Sequence, residues 1–128
     1  MAKPLRILVV DDNKELVTTT MELVRLMGHQ CHGCHTGKQA VECVDEFEPD
    51  VLIMDISMPE MTGWEAAKKI REKYDGAGPV LIAVTGQYTR GPDKIVSAMN
   101  GFDYYLVKPT DPKVLQALID RACPPALV

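Results

Sequence analysis

The 128-residue sequence carries no surplus of basic side chains: 14 Lys and Arg stand against 18 Asp and Glu, for a formal net charge of −4. Phosphate-backbone binding draws on such a surplus, so this balance argues against nucleic acid as the main partner. No apolar run approaches the roughly 18–20 residues that cross a bilayer, which excludes membrane insertion. Nor is there a secretory signal. Met1-Ala2-Lys3-Pro4 leads into a short Val/Ile/Leu stretch that stops at two aspartates, without a long apolar core or a small-residue cleavage site. The chain is therefore expected to be cytoplasmic. Internal repeats, low-complexity tracts and linkers are also missing. A length of 128 residues is short for anything but one domain.

What is present is an ordinary globular composition, 46% hydrophobic and 25% charged. Leu5–Val10, Val51–Met54, Val80–Val84 and Tyr104–Val107 are short, nearly continuous apolar runs, as parallel strands buried on both faces read. Gln30 to His35 is a weaker strand candidate. Helical periodicity lies between them. Leu16, Thr20, Leu23, Val24 and Met27 share one face of a helix ended by Gly28. Ala40, Val41, Val44 and Phe47 mark a second helix, and Trp64, Ala67 and Ile70 a third. A fourth is expected from Pro92 to Asn100-Gly101. The last begins at Asp111-Pro112 and is expected to bury Val114, Leu115, Leu118 and Ile119. Five strand–helix alternations imply a doubly wound (βα)5 domain, a five-stranded parallel sheet with helices on both faces.

The strong strands end in polar residues that their apolar runs do not require: Asp11-Asp12, Asp55, Thr85 and Lys108-Pro109. Sites in open parallel sheets form outside the carboxyl ends of the strands. Three carboxylates, a hydroxyl and an ammonium thus converge on one edge. Crowded carboxylates repel unless a cation sits among them, and an open set of oxygen ligands suits Mg²⁺. Together with Lys108 and Thr85 this is a phosphoryl-binding constellation, with a carboxylate available as nucleophile. Any one of these residues alone could be a helix cap, and Asn13 has that place before the first helix. Capping does not explain all five together.

Val9-Val10-Asp11-Asp12-Asn13, Met54-Asp55-Ile56-Ser57-Met58-Pro59-Glu60-Met61-Thr62-Gly63, Ala83-Val84-Thr85-Gly86 and Gly101-Phe102-Asp103-Tyr104-Tyr105-Leu106-Val107-Lys108-Pro109 match the receiver domains of two-component response regulators in order and spacing. On this pattern the sequence resembles that family from about Leu5 to Ile119. The resemblance implies a flavodoxin-like fold and a phosphoacceptor, Asp55, charged by a histidine kinase or a histidine phosphotransfer protein. It implies Mg²⁺ held by Asp12, Asp55 and the Ser57 backbone carbonyl, with Asp11 helping through bound water. Lys108 and Thr85 would contact the phosphoryl group, and Thr85 with Tyr105 would form the switch. Without the motif, Tyr105 reads as an ordinary half-buried strand aromatic. The Lys108-Pro109 bond is cis in the family.

A downstream protein target would then read a face formed by the helix after Pro92, the last strand and the last helix. Such a module is a signalling phosphoacceptor rather than an enzyme, although it assists its own phosphorylation and dephosphorylation. The whole chain, with a core of about residues 5–122, is expected to be one receiver domain without an output domain. Thr62, Gly86 and Gln87 depart from the commonest family residues, and the stretch around Thr85 and Lys108 resembles receivers of hybrid histidine kinases. The enzyme alternative is a Mg²⁺-dependent phosphatase with an aspartyl nucleophile. Such enzymes usually carry a second acid two residues on, where this chain has Ser57.

Cys31-His32-Gly33-Cys34-His35 spells a c-type haem attachment pattern, and His29 adds a possible metal ligand. On a strand, Cys31 and Cys34 would point to opposite faces, a poor start for haem or zinc. The four cysteines, Cys31, Cys34, Cys43 and Cys123, are expected to be reduced thiols.

Overall fold

A computed structural model describes residues 4–56, 63–74, 78–85, 101–108 and 111–122. Five strands, β1 (Arg6–Val10), β2 (Gln30–Cys34), β3 (Val51–Asp55), β4 (Val80–Thr85) and β5 (Tyr104–Val107), form one sheet in the order β2-β1-β3-β4-β5. Every neighbouring pair is parallel. The helices among the described residues are α1 (Lys14–Leu26), α2 (Gly37–Phe47), α3 (Gly63–Tyr74) and α4 (Pro112–Ala122). The helix expected between Pro92 and Gly101 falls outside the described residues apart from Gly101 itself.

Two apolar layers sandwich the sheet. Leu8, Val10, Leu52, Met54, Leu81 and Ala83 pack against α2 and α3 through Val44, Ala67 and Ile70. Ile7, Val9, Val51, Ile53, Ile82 and Leu106 pack against α1 and α4 through Val17, Val24, Leu115 and Ile119. Alternate residues of the central strands serve opposite layers, and all five residues of β3 are buried. β2 reads weakly because it is the edge strand: Gln30 and His32 are exposed and only Cys34 is fully buried.

Two helix faces differ from expectation. In α1 the buried residues are Val17 and Val24, whereas Leu16 is 37% exposed. In α4, Leu115 and Ile119 are buried but Val114 is 46% exposed. In both helices a neighbouring aliphatic pair spans the face edge, and periodicity does not say which member points inward.

The helix ends follow local chemistry. The Asn13 side chain accepts hydrogen bonds from the backbone N–H groups of Glu15 and Leu16 at 3.0 and 3.2 Å. Thr36 caps α2 by accepting from Gln39 N at 3.0 Å. Asp111 opens α4, its carboxylate accepting from Lys113 N at 2.8 Å. Gly28, at φ +94°, releases the chain from α1 in a conformation that disfavours any side chain.

Candidate functional site

The polar strand ends meet because the sheet order places β1 beside β3 and β4 beside β5. Val10 pairs with Met54, so Asp11 and Asp55, the next residues, leave adjacent strands at the same level. Asp11 and Asp55 are buried, 6% and 5% exposed, and Asp12 is exposed. Carboxylate oxygens of the three lie within 4.8 Å of one another. Lys108 follows β5 and reaches across: its Nζ donates to Asp11 Oδ2 at 2.7 Å and lies 3.4 Å from Asp55 Oδ2. Burial works against the Lys108 ammonium, but the hydrogen bond it donates to Asp11 and the charges of Asp55 and Asp11 outweigh it, holding the amine above its usual range. A cavity of about 200 Å³ opens beside these groups, lined by Asp11, Leu16, Thr20, Asp55, Lys108 and Leu115 among others.

Thr85 ends β4 and pairs with Val107, on the same sheet edge as Asp55 and Lys108. Its side chain, all of Ser57, Thr62, Gly86, Gln87 and the Lys108-Pro109 bond lie outside the described residues. Tyr105 is half-buried on β5 and packs against the layer containing Met54, Ala83 and Phe102. Its hydroxyl is buried without a hydrogen-bond partner among the described residues.

Two contributors escaped the sequence reading. His35, set aside with the cysteine motif, places Nδ1 3.2 Å from the Asp11 carbonyl oxygen. The signal was its position, just after β2 and level with Asp11. Arg71 clasps the approach to β5: its guanidinium donates to the Gly101 carbonyl at 2.9 Å, the Pro79 carbonyl at 3.2 Å and Asp103 Oδ2 at 2.5 Å. Main-chain acceptors leave no trace in a sequence. Asp11, Asp12 and Asp55 are the one group of three or more metal-ligating side chains close enough to share an ion among the described residues. Cys31 and Cys34 do face opposite layers, which removes the geometry a haem or zinc motif would need.

A five-stranded parallel α/β module thus gathers three carboxylates and a lysine at the carboxyl edge of its sheet. The chain belongs to the response regulator receiver domain family, whose model matches residues 7–120, and is thus a receiver domain of two-component signalling. It is 36% identical over 115 residues to the transcriptional regulatory protein YdfI of Bacillus subtilis, covering 90% of this chain and 50% of that protein. It is 33% identical to the chemotaxis protein CheY of Thermotoga maritima, covering 88% of this chain and 93% of that one. The structure of CheY4 from Vibrio cholerae superposes with a TM-score of 0.86 at 25% identity, covering 94% of this chain and 99% of that one. The chain thus spans about half the length of YdfI and nearly all of the chemotaxis protein. These relatives are regulators, and the phosphatase alternative is not favoured. Receiver domains work with histidine kinases or phosphotransfer proteins and with downstream targets. Among the described residues no helix is long and apolar enough to cross a membrane.

Proposed function

We propose that Asp55 is the phosphoacceptor and that a histidine kinase or phosphotransfer protein supplies the phosphoryl group from a phosphohistidine. The observation that carries this reading is the Asp11–Lys108–Asp55 arrangement, one ammonium shared by two buried carboxylates at the mouth of a cavity. Three oxygen-donor side chains within reach of one another fit Mg²⁺, which Asp12, Asp55 and the Ser57 carbonyl would hold with help from Asp11. When bound, that ion supplies neutralisation of charge on the transferring group.

The chain's own residues do the rest. Asp55 ends a fully buried strand, so its carboxylate is held in place for in-line attack with little freedom to lose. Lys108 already lies against Asp55 and would follow the new phosphoryl oxygens as a point charge. Thr85, which ends the neighbouring strand, would donate its hydroxyl to one of those oxygens. The phosphoryl group brings a charge of about −1.5 to −2. Movement of Thr85 toward it would be followed by Tyr105, whose hydroxyl has no hydrogen-bond partner among the described residues. The two together form the switch that a downstream protein reads. We place the exchange in the cytoplasm, where free thiols such as Cys31, Cys34 and Cys43 persist.

The test is phosphorylation with acetyl phosphate and Mg²⁺, followed by intact-mass measurement. One phosphoryl group per chain is expected, released rapidly in base and by hydroxylamine as an acyl phosphate is, and lost in Asp55→Asn. Incorporation that survives in Asp55→Asn refutes the assignment. Many turnovers of a phosphate monoester per chain would instead point to a phosphatase.

A further inference from the structure

The cysteine-histidine motif has a different use from the one its spelling suggests. β2 and α2 enclose an open cleft at the sheet edge, lined by His32, Cys34, His35, Gln39, Cys43 and Glu46 among others. Cys34 is the last residue of β2 and is buried. Cys43, on α2, is half-buried and also lines a second opening with His32, Glu46 and Phe47. Both thiols line this one cleft and belong to the same apolar cluster at the strand–helix joint. Cys31 cannot compete, because it packs on the opposite layer and its thiol donates to the Met21 carbonyl at 3.5 Å.

We propose that Cys34 and Cys43 are a redox pair that a hydroperoxide closes into an intramolecular disulfide. The Cys43 thiolate attacks the peroxide oxygen, giving Cys43 sulfenic acid and an alkoxide that takes up the Cys43 proton and leaves as an alcohol. Cys34 sulfur then attacks Cys43 sulfur; the S–S bond forms, and the hydroxyl departs with the Cys34 proton as water. Two thiols lose two electrons and one hydroperoxide gains them. Cys43 reacts first because it borders both openings, whereas Cys34 is buried. Burial, with Glu42 and Glu46 nearby, pushes Cys43 up, and burial pushes Cys34 up further. The pair therefore answers slowly, to sustained oxidant, rather than to every passing electrophile.

The joint it would lock adjoins the acidic cluster. The Cys34 carbonyl accepts the Asp11 N–H at 3.2 Å, and the next residue, His35, contacts the Asp11 carbonyl. Oxidation would thus fix the β2–α2 turn that brackets Asp11.

The full chain, freshly reduced, is treated with hydrogen peroxide, alkylated and digested with trypsin. Cleavage after Lys38 separates the two cysteines, so the disulfide joins the peptide beginning at Leu26 to the one beginning at Gln39. Two of the four thiols should disappear and return with dithiothreitol. Cys31 shares the first peptide, so the link must survive in Cys31→Ser and vanish in Cys43→Ser. A link through Cys31 or Cys123 overturns the proposal. So does accumulation of oxidised Cys43 while Cys34 still alkylates, or thiols that react only after the chain is unfolded. None of these outcomes depends on phosphorylation of Asp55.

Discussion

Lys108→Met retains much of the aliphatic length of the side chain and removes its charge, and it tests how the acidic cluster is held. Nζ lies 2.7 Å from Asp11 Oδ2 and 3.4 Å from Asp55 Oδ2, and those carboxylates have only 9% and 5% of their surface exposed. With carboxylate oxygens up to 4.8 Å apart, two full charges at an effective dielectric of about 20 repel by about 3.5 kcal/mol. Protonation of one carboxyl limits what the fold can lose. Lys108 is itself 21% exposed, so the loss falls at the low end of the range for removing one partner of a buried pair, about 3 kcal/mol. For a chain of this size that is a fall in Tm of about 11 °C. Urea unfolding at neutral pH without divalent cations measures it. Added Mg²⁺ should then stabilise Lys108→Met more than the parent chain, because the ion no longer shares the cluster with an ammonium. The sharpest comparison is Asp11→Asn in both backgrounds, since Asn keeps the Oδ1 that accepts the Asn13 N–H at 2.9 Å. In the parent it removes the nearest partner of Lys108 and destabilises. In Lys108→Met it removes a like charge and stabilises. The same sign in both backgrounds refutes the electrostatic account.

Three other outcomes follow from the packing and the charges. A methyl group at Gly33 would sit 2.5 Å from Val17 Cγ1 and 2.8 Å from Met21 Sδ. Gly33→Ala should therefore cost about 1–3 kcal/mol in thermal unfolding, and much less when combined with Val17→Ala than the sum of the two. Asn13→Ala removes the α1 cap and should lower the unfolding free energy by about 1 kcal/mol, seen as a lower urea midpoint with an unchanged m value. Because the Lys108 amine is held above its usual range, its contribution is fully present below the ordinary lysine value and lost as pH rises through the raised one. The stability gap between the parent and Lys108→Met should thus close only in strong alkali, as pH-dependent unfolding curves can show.

The central strands and the acidic edge were legible because their signals are local. β1, β3 and β4 are buried on both faces, and their continuous Val/Ile/Leu runs end at Asp11, Asp55 and Thr85 without interruption. β2 was faint for the same physical reason in reverse: an edge strand has half its residues in water. The misplaced faces of α1 and α4 turn on single neighbours, Leu16 beside Val17 and Val114 beside Leu115, where only packing chooses. What could not be read depends on distant main chain. Arg71 bonds the carbonyls of Gly101 and Pro79, and His35 touches the carbonyl of Asp11; any residue could supply those acceptors. The cleft that Cys34 and Cys43 share was equally hidden, since it depends on how α2 lies over the end of β2.

The pairing of Val10 with Met54 reaches beyond the site it serves. Because Asp11 and Asp55 ride on one hydrogen-bonded ladder, their spacing belongs to the backbone and not to any loop. Connections elsewhere are free to lengthen, shorten or change sequence as new partners are acquired. A one-residue deletion inside β3 is a different matter: it would turn Asp55 to the other side of the sheet and bring Met54 out of its layer. Divergence of partners can therefore proceed on the loops and outer helices while the chemistry stays fixed, and the innermost strands are where lineages have least room to drift.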